Sequence, residues 1–87
     1  MLEELIGERV VIDLGSPFVC IGTLVRVEPQ FVELKSADLH DLRDTDTTRD
    51  QYVVDSRMTG VKRNRRRVVV VRDEMVAIAR LDDVIAE

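Results

Sequence analysis

Cysteine, aromatic side chains and long apolar runs are scarce in this chain, and each scarcity closes off a class of protein. The single Cys20 excludes an internal disulfide and fits a reducing compartment. Lying between Val19 and Ile21, it reads as a half-buried strand thiol rather than a nucleophile. One histidine and one tyrosine leave acid–base chemistry to carboxylates that no motif pairs, and Ser16, Ser36 and Ser56 have no histidine close in sequence. The four glycines form no phosphate-cradling loop. No catalytic residue, cofactor or small-molecule substrate is therefore nominated, and the chain is expected not to be an enzyme.

No apolar run approaches the roughly 20 residues needed to cross a bilayer. The opening MLEELIGERV carries acids where a signal peptide would be basic, so the expectation is a cytoplasmic chain with no membrane partner. His40 lies in DLHDLRD near Asp38, Asp41 and Asp44, but these spacings close no ligand set, and His40 reads as a surface residue. DTDTT lacks the glycine and terminal glutamate of a calcium loop. No metal is expected.

What remains is a soluble composition, 45% hydrophobic and 34% charged, in 87 residues. That length holds one domain, residues 1–87, with room for a single core. A chain this small buries roughly 60–65% of the surface it exposes when unfolded, so a partner chain would add stability.

The periodicity is mostly that of strands. LEEL at Leu2–Leu5 suits a short helix ended by Gly7. RVVIDL then alternates, with Val10, Ile12 and Leu14 on one side and Arg9, Val11 and Asp13 on the other. After a turn at Gly15–Pro17, FVCIGTLVRVE reads as a longer strand whose internal Gly22 marks a sharp bend or a close backbone approach. FVELKSA alternates again after a turn at Glu28–Gln30. Residues 36–66 read as one long charged excursion between strands three and four, within which QYVVDS and the basic residues fold back as a ribbon. RRVVVVR and MVAIARL are the last two strands, expected to form a tight hairpin across Asp73 and Glu74. The expected class is all-β: a short N-terminal helix and a five-stranded, strongly bent small barrel, SH3-like in size.

These residues resemble the Sm-like (Lsm) family. LIGERVVIDLGSPFVCIGTL supplies Gly7, the alternating Val10, Ile12 and Leu14, then Gly22 and Leu24, in the pattern of the first Sm motif. VRDEMVAI, Val71 to Ile78, is similar to the second motif. The resemblance implies a helix capping a bent five-stranded sheet, with the long insertion before the fourth strand where the family varies. It also implies a homo-oligomeric ring in which the fourth strand of one subunit pairs with the fifth of the next. In RNA-binding members a loop and the arginine of the second motif hold a base. Carried onto this chain, Glu28 stands near the loop's aspartate, Gln30 near its stacking residue, and Arg72 at the arginine, while the methionine–asparagine pair is missing and Asp73 replaces a glycine. Single-stranded RNA is the implied ligand. A protein-interaction or scaffold module of the same fold, without nucleic acid, is the alternative.

Charge supplies the last feature. Against a net −4, VKRNRRRVVVVR concentrates Lys62, Arg63, Arg65, Arg66, Arg67 and Arg72 within Val61–Arg72. Three readings stand: neutralisation of nucleic-acid phosphates, pairing with Asp38, Asp41, Asp44, Asp46, Asp50 and Asp55, or a solvated edge that discourages misplaced strand pairing. The six available acids lean the balance toward pairing inside an assembly.

Overall fold

The alternation of RVVIDL becomes β1 (Arg9–Leu14) in a computed structural model that describes residues 1–86. Val10 and Ile12 point into one core, and Val11 into a second core on the opposite face. β2 (Phe18–Val27), β3 (Phe31–Asp41), β4 (Arg65–Val71) and β5 (Met75–Arg80) complete one sheet in the order β4-β3-β2-β1-β5, every recorded pairing antiparallel. The N-terminal helix is a single 3-10 turn, Leu2–Leu5. Its two leucines pack on the first core, and Gly7 leaves the turn at φ +91°, a left-handed conformation that favours glycine.

The first core fills the concave side of the sheet with Val10, Ile12, Cys20, Leu24, Val32, Leu34, Ala37 and Val70. Its curvature comes from irregular pairing of β2 with β3, whose register shifts between Ile21 and Thr23 and again between Leu24 and Arg26. At the first shift β3 carries one extra residue, because Ile21 faces Asp38 while Thr23 faces Lys35. Ser36 takes up this excess at φ +50°, the only positive φ recorded outside glycine. Gly22 lies against the bulge, and a Cβ there would stand 2.9 Å from the Ala37 Cβ and 3.0 Å from the Lys35 carbonyl oxygen. The bend expected at Gly22 is thus a close backbone approach.

Three local expectations are corrected. β3 does not stop near Ser36 but runs to Asp41, followed by a 3-10 turn at Leu42–Asp44. QYVVDS is not a ribbon strand. It lies in a helix, α1 (Arg49–Thr59), capped by the Thr48 hydroxyl accepting from the Gln51 N–H and ended at Gly60 with φ +103°. Tyr52, Val53 and Ser56 share the helix face that is buried, and Tyr52 and Val53 join Val11, Val19, Ile21 and Leu81 in the second core. The third correction concerns the terminal hairpin. β4 pairs only with β3 and β5 only with β1, so the two strands joined by Arg72–Glu74 stand at opposite edges of the sheet.

The crowding at Gly22 yields a direct expectation. Gly22→Ala should lower the unfolding free energy by about 1–3 kcal/mol, because the contacted atoms include the backbone of β3 and cannot rotate away. Gly15→Ala, where the nearest atom is 3.8 Å from the added Cβ, should stay within about 0.5 kcal/mol of the parent. Urea midpoints of the two variants measure the contrast; equal midpoints would refute it.

Candidate nucleic-acid interface

The sequence-nominated residues fall into two groups at opposite ends of β4. At one end, the β2–β3 turn is closed by the Glu28 N–H donating to the Phe31 carbonyl at 2.8 Å. Arg72, just beyond β4, is fastened to this turn twice. Its backbone N–H donates to the Gln30 carbonyl at 2.9 Å, and its Nη1 donates to the Glu28 carbonyl at 2.9 Å. Glu28, Gln30 and Arg72 are therefore brought together, with the Gln30 side chain exposed. The neighbouring Arg26 lies over the Phe31 ring, 5.1 Å from its centroid, and pairs with Glu33 at 3.3 Å. Part of the Arg72 guanidinium serves the turn, so its remaining N–H groups have a fixed starting direction.

At the other end are Lys62, Arg63, Arg65, Arg66 and Arg67, all exposed. β3–β4 pairing runs from Phe31 opposite Val71 to Ala37 opposite Arg65. Six strand residues at about 3.3 Å each separate the two groups by about 20 Å. Arg67 pairs with Glu33 at 3.4 Å. Among the described residues, Lys62, Arg63, Arg65 and Arg66 form no ion pair. The expected pairing is not found: among the described residues, none of the six aspartates forms an ion pair with these five cations. Asp41 instead holds Arg43, whose bonds lower its pKa to about 2, and Asp55 accepts from Gln51 at 2.8 Å.

Asp38 has a different role, which the sequence did not disclose. The register excess at Ser36 turns it away from the first core, where it is only 1% exposed. A buried carboxylate requires donors, and two arrive from distant parts of the chain. The Tyr52 hydroxyl of α1 donates to Oδ2, and the Asn64 Nδ2 donates to Oδ1 at 3.2 Å. Asn64 also clamps the end of β3: its Oδ1 accepts from the Leu39 N–H at 3.0 Å, its Nδ2 donates to the Leu39 carbonyl at 3.0 Å, and its own N–H donates to the Ala37 carbonyl at 2.8 Å. The signal for this role was the lone uncharged residue inside KRNRRR.

His40 is not a free surface residue. Its ring stacks on Tyr52 with centroids 4.0 Å apart, and its Nε2 is buried without a hydrogen-bond partner among the described residues. No group of three or more histidine, cysteine or acidic side chains is arranged for a metal among the described residues. Burial pushes the Cys20 thiol up to about 12, with the nearby Asp38 charge adding to the effect. Burial also raises the Tyr52 pKa, followed by its hydrogen bond to Asp38.

No family model and no curated protein sequence matches the chain. Solved structures do. A Pyrococcus abyssii Sm protein in complex with a uridine heptamer is similar over 91% of this chain and 90% of its own, at 18% identity and a TM-score of 0.64. A chain from the NatC complex bound to CoA is similar over 90% of this chain and 80% of its own, at 19% identity and a TM-score of 0.58. The protein therefore has the Sm-like fold, five bent antiparallel strands behind a short N-terminal turn, with α1 inserted before β4.

The two raised pKa values set an alkaline limit. Above pH 9 for Cys20 and pH 10 for Tyr52, the unfolded chain releases protons that the folded chain retains. Fewer protons on the unfolded state mean stability falls with rising pH, by at most about 1.4 kcal/mol per pH unit for each group. Denaturant titrations from pH 7 to 10.5 should show a plateau and then this decline. Tyr52→Phe should lower the plateau by about 1–3 kcal/mol, by stripping a donor from buried Asp38, and soften the decline above pH 10. An identical profile in the variant would refute the assignment.

Proposed function

We propose that the protein is an Sm-like RNA-binding module, acting in the cytoplasm, that assembles with copies of itself through β4 and β5 and contacts bases of single-stranded RNA at the Glu28–Gln30 turn and Arg72. The observation that carries this reading is the double attachment of Arg72 to that turn. It supplies a preset guanidinium beside an exposed amide side chain, Gln30, and both groups can hydrogen-bond the edge of an unstacked base. The fold it shares with a protein solved with a uridine heptamer supports the same assignment.

Self-assembly is supported by the edges. β4 presents Val69 and Val71, about half exposed, and β5 presents Val76 at 72% exposure. Each strand has one side without a ladder partner among the described residues. Beside β4 lies a largely apolar groove lined by Leu14, Phe18, Leu39 and Val68–Val71, with Glu74 the one charged residue of the lining. Open, apolar strand edges are aggregation sites unless another chain covers them, and head-to-tail pairing of β4 with a neighbour's β5 covers both in a closed ring.

Light scattering should give a single mass that is a multiple of 9.9 kDa, and Val76→Asp should reduce it toward the monomer. Fluorescence anisotropy should show binding to U-rich and A-rich oligonucleotides with different affinities. Arg72→Ala should weaken the preferred one by about 10-fold or more, the loss of one charge-assisted hydrogen bond. A strict monomer that binds neither RNA at low salt would overturn the proposal, and an oligomer that binds neither would point to a scaffold role.

A further inference from the structure

The unpaired cations surround a concavity of their own, lined by Ser36, Arg63, Asn64, Arg65 and Arg66 and sharing no residue with the Arg72 turn. We propose that this concavity is a second RNA contact that holds a backbone phosphodiester without reading bases, an inference that rests on the RNA-binding reading above.

The first argument is electrostatic. The chain has 17 acids against 13 lysines and arginines, so unpaired cations are not forced on it by composition. Yet Lys62, Arg63, Arg65 and Arg66 have no acid partner among the described residues, although like charges this close oppose folding. Asp38, which Asn64 of the same basic run contacts, is turned inward with its two oxygens taken by Tyr52 and Asn64. Asp41 and Glu33 are held by Arg43, and by Arg26 and Arg67, respectively.

The second argument is preorganisation. The β3–β4 ladder records pairs at Lys35–Arg67 and Ala37–Arg65 but none between Ser36 and Arg66, so the floor of the concavity is a gap in regular pairing. Ser36 sits there in its left-handed conformation, its hydroxyl exposed and without a hydrogen-bond partner among the described residues. Asn64 fixes the chain between Arg63 and Arg65 with three bonds to the end of β3 besides its bond to Asp38. The backbone that carries the arginines is thus ordered before any ligand arrives, which reduces the ordering cost of binding.

The third argument is chemical. Guanidinium forks and a hydroxyl are suited to phosphate oxygens. The lining has no aromatic or apolar wall on which a base would stack, so the contact is to the backbone and independent of sequence. With the Arg72 turn about 20 Å away along β4, one end of the strand discriminates bases and the other adds affinity.

The test is anisotropy with labelled 20-nucleotide oligouridylate and oligoadenylate at 50–200 mM KCl, on the parent protein, R63Q/R66Q and R72A. Neither Arg63 nor Arg66 donates a side-chain hydrogen bond among the described residues, so the double variant should fold as the parent does, with circular dichroism as the check. Each phosphate contact contributes about 0.7 to the salt slope of single-strand binding. Loss of the one phosphodiester contact in the double variant should therefore flatten the slope by about 0.7, losing roughly 2.6-fold less affinity than the parent between 50 and 200 mM, equally for both RNAs. An unchanged slope overturns the phosphate site, and if R72A meanwhile loses its base preference the RNA-binding reading survives alone. A slope change confined to one RNA overturns base independence. Loss in the double variant without any effect of R72A supports the phosphate site and removes the base-reading turn. Absence of binding by the parent at 50 mM overturns both.

Discussion

A carboxylate buried inside β3 governs how the middle of this chain is arranged. Removing Asp38 from water costs several kcal/mol unless its oxygens receive hydrogen bonds, and among the described residues no donor on a neighbouring strand provides them. The donors are Tyr52, on the face of α1, and Asn64, one residue before β4. One buried charge thus ties three successive segments together. It docks the helix, ends the connection that follows, and sets where β4 begins. The apolar contacts of α1 could tolerate sliding, since Val53 and Tyr52 meet a smooth surface of Val11, Val19 and Ile21. Hydrogen bonds to a single carboxylate do not permit it.

Asp38 faces that side because of Ser36. An undisturbed two-residue period from Val32 and Leu34 would send residues 36 and 38 into the first core; the inserted residue sends Ala37 and Leu39 there instead. Asp38 then points to the second core, where α1 lies. Gly22 makes room for the displaced backbone on the neighbouring strand. The first of the two irregularities that curve the sheet and the position of the helix therefore share one origin, a left-handed serine opposite a glycine.

The same shift explains what could be read from the residues. The start of β3 was legible because local alternation agrees with tertiary burial there. β1 was legible as a strand, although Val11, set beside Arg9 and Asp13 by the alternation, is buried in the second core, and Gly22 was legible as a glycine inside a strand. β3 beyond Ser36 was not, since a strand that changes phase looks like a strand that ends. QYVVDS has the β-branched content of a strand, and its helical state depends on the Thr48 cap and on Tyr52 reaching Asp38, a contact invisible in a linear pattern. The terminal hairpin was misread for another reason. A short turn between two apolar runs ordinarily joins adjacent strands, but in a bent sheet the 3-10 turn at Arg72–Glu74 carries the chain across the open side to the far edge. At the candidate site, the grouping of Glu28, Gln30 and Arg72 came from a family resemblance, whereas the separation of Arg72 from the other cations by the length of β4 needed the structure.

β4 is itself divided: three arginines precede four valines. Valines alone specify register poorly, because a run of identical side chains can slip by two residues and bury the same surface. A charged segment at one end removes that degeneracy, since slipping would carry guanidinium groups into a groove whose lining is apolar but for Glu74, at a desolvation cost, and would move valines out into water. In the proposed assembly the arginines would limit how far a partner strand extends along β4, and their own end of it is exposed to water. Under the proposed assembly, the valine half joins subunits while the charged half stays free for an anionic ligand, and the boundary between the two lies between Arg67 and Val68.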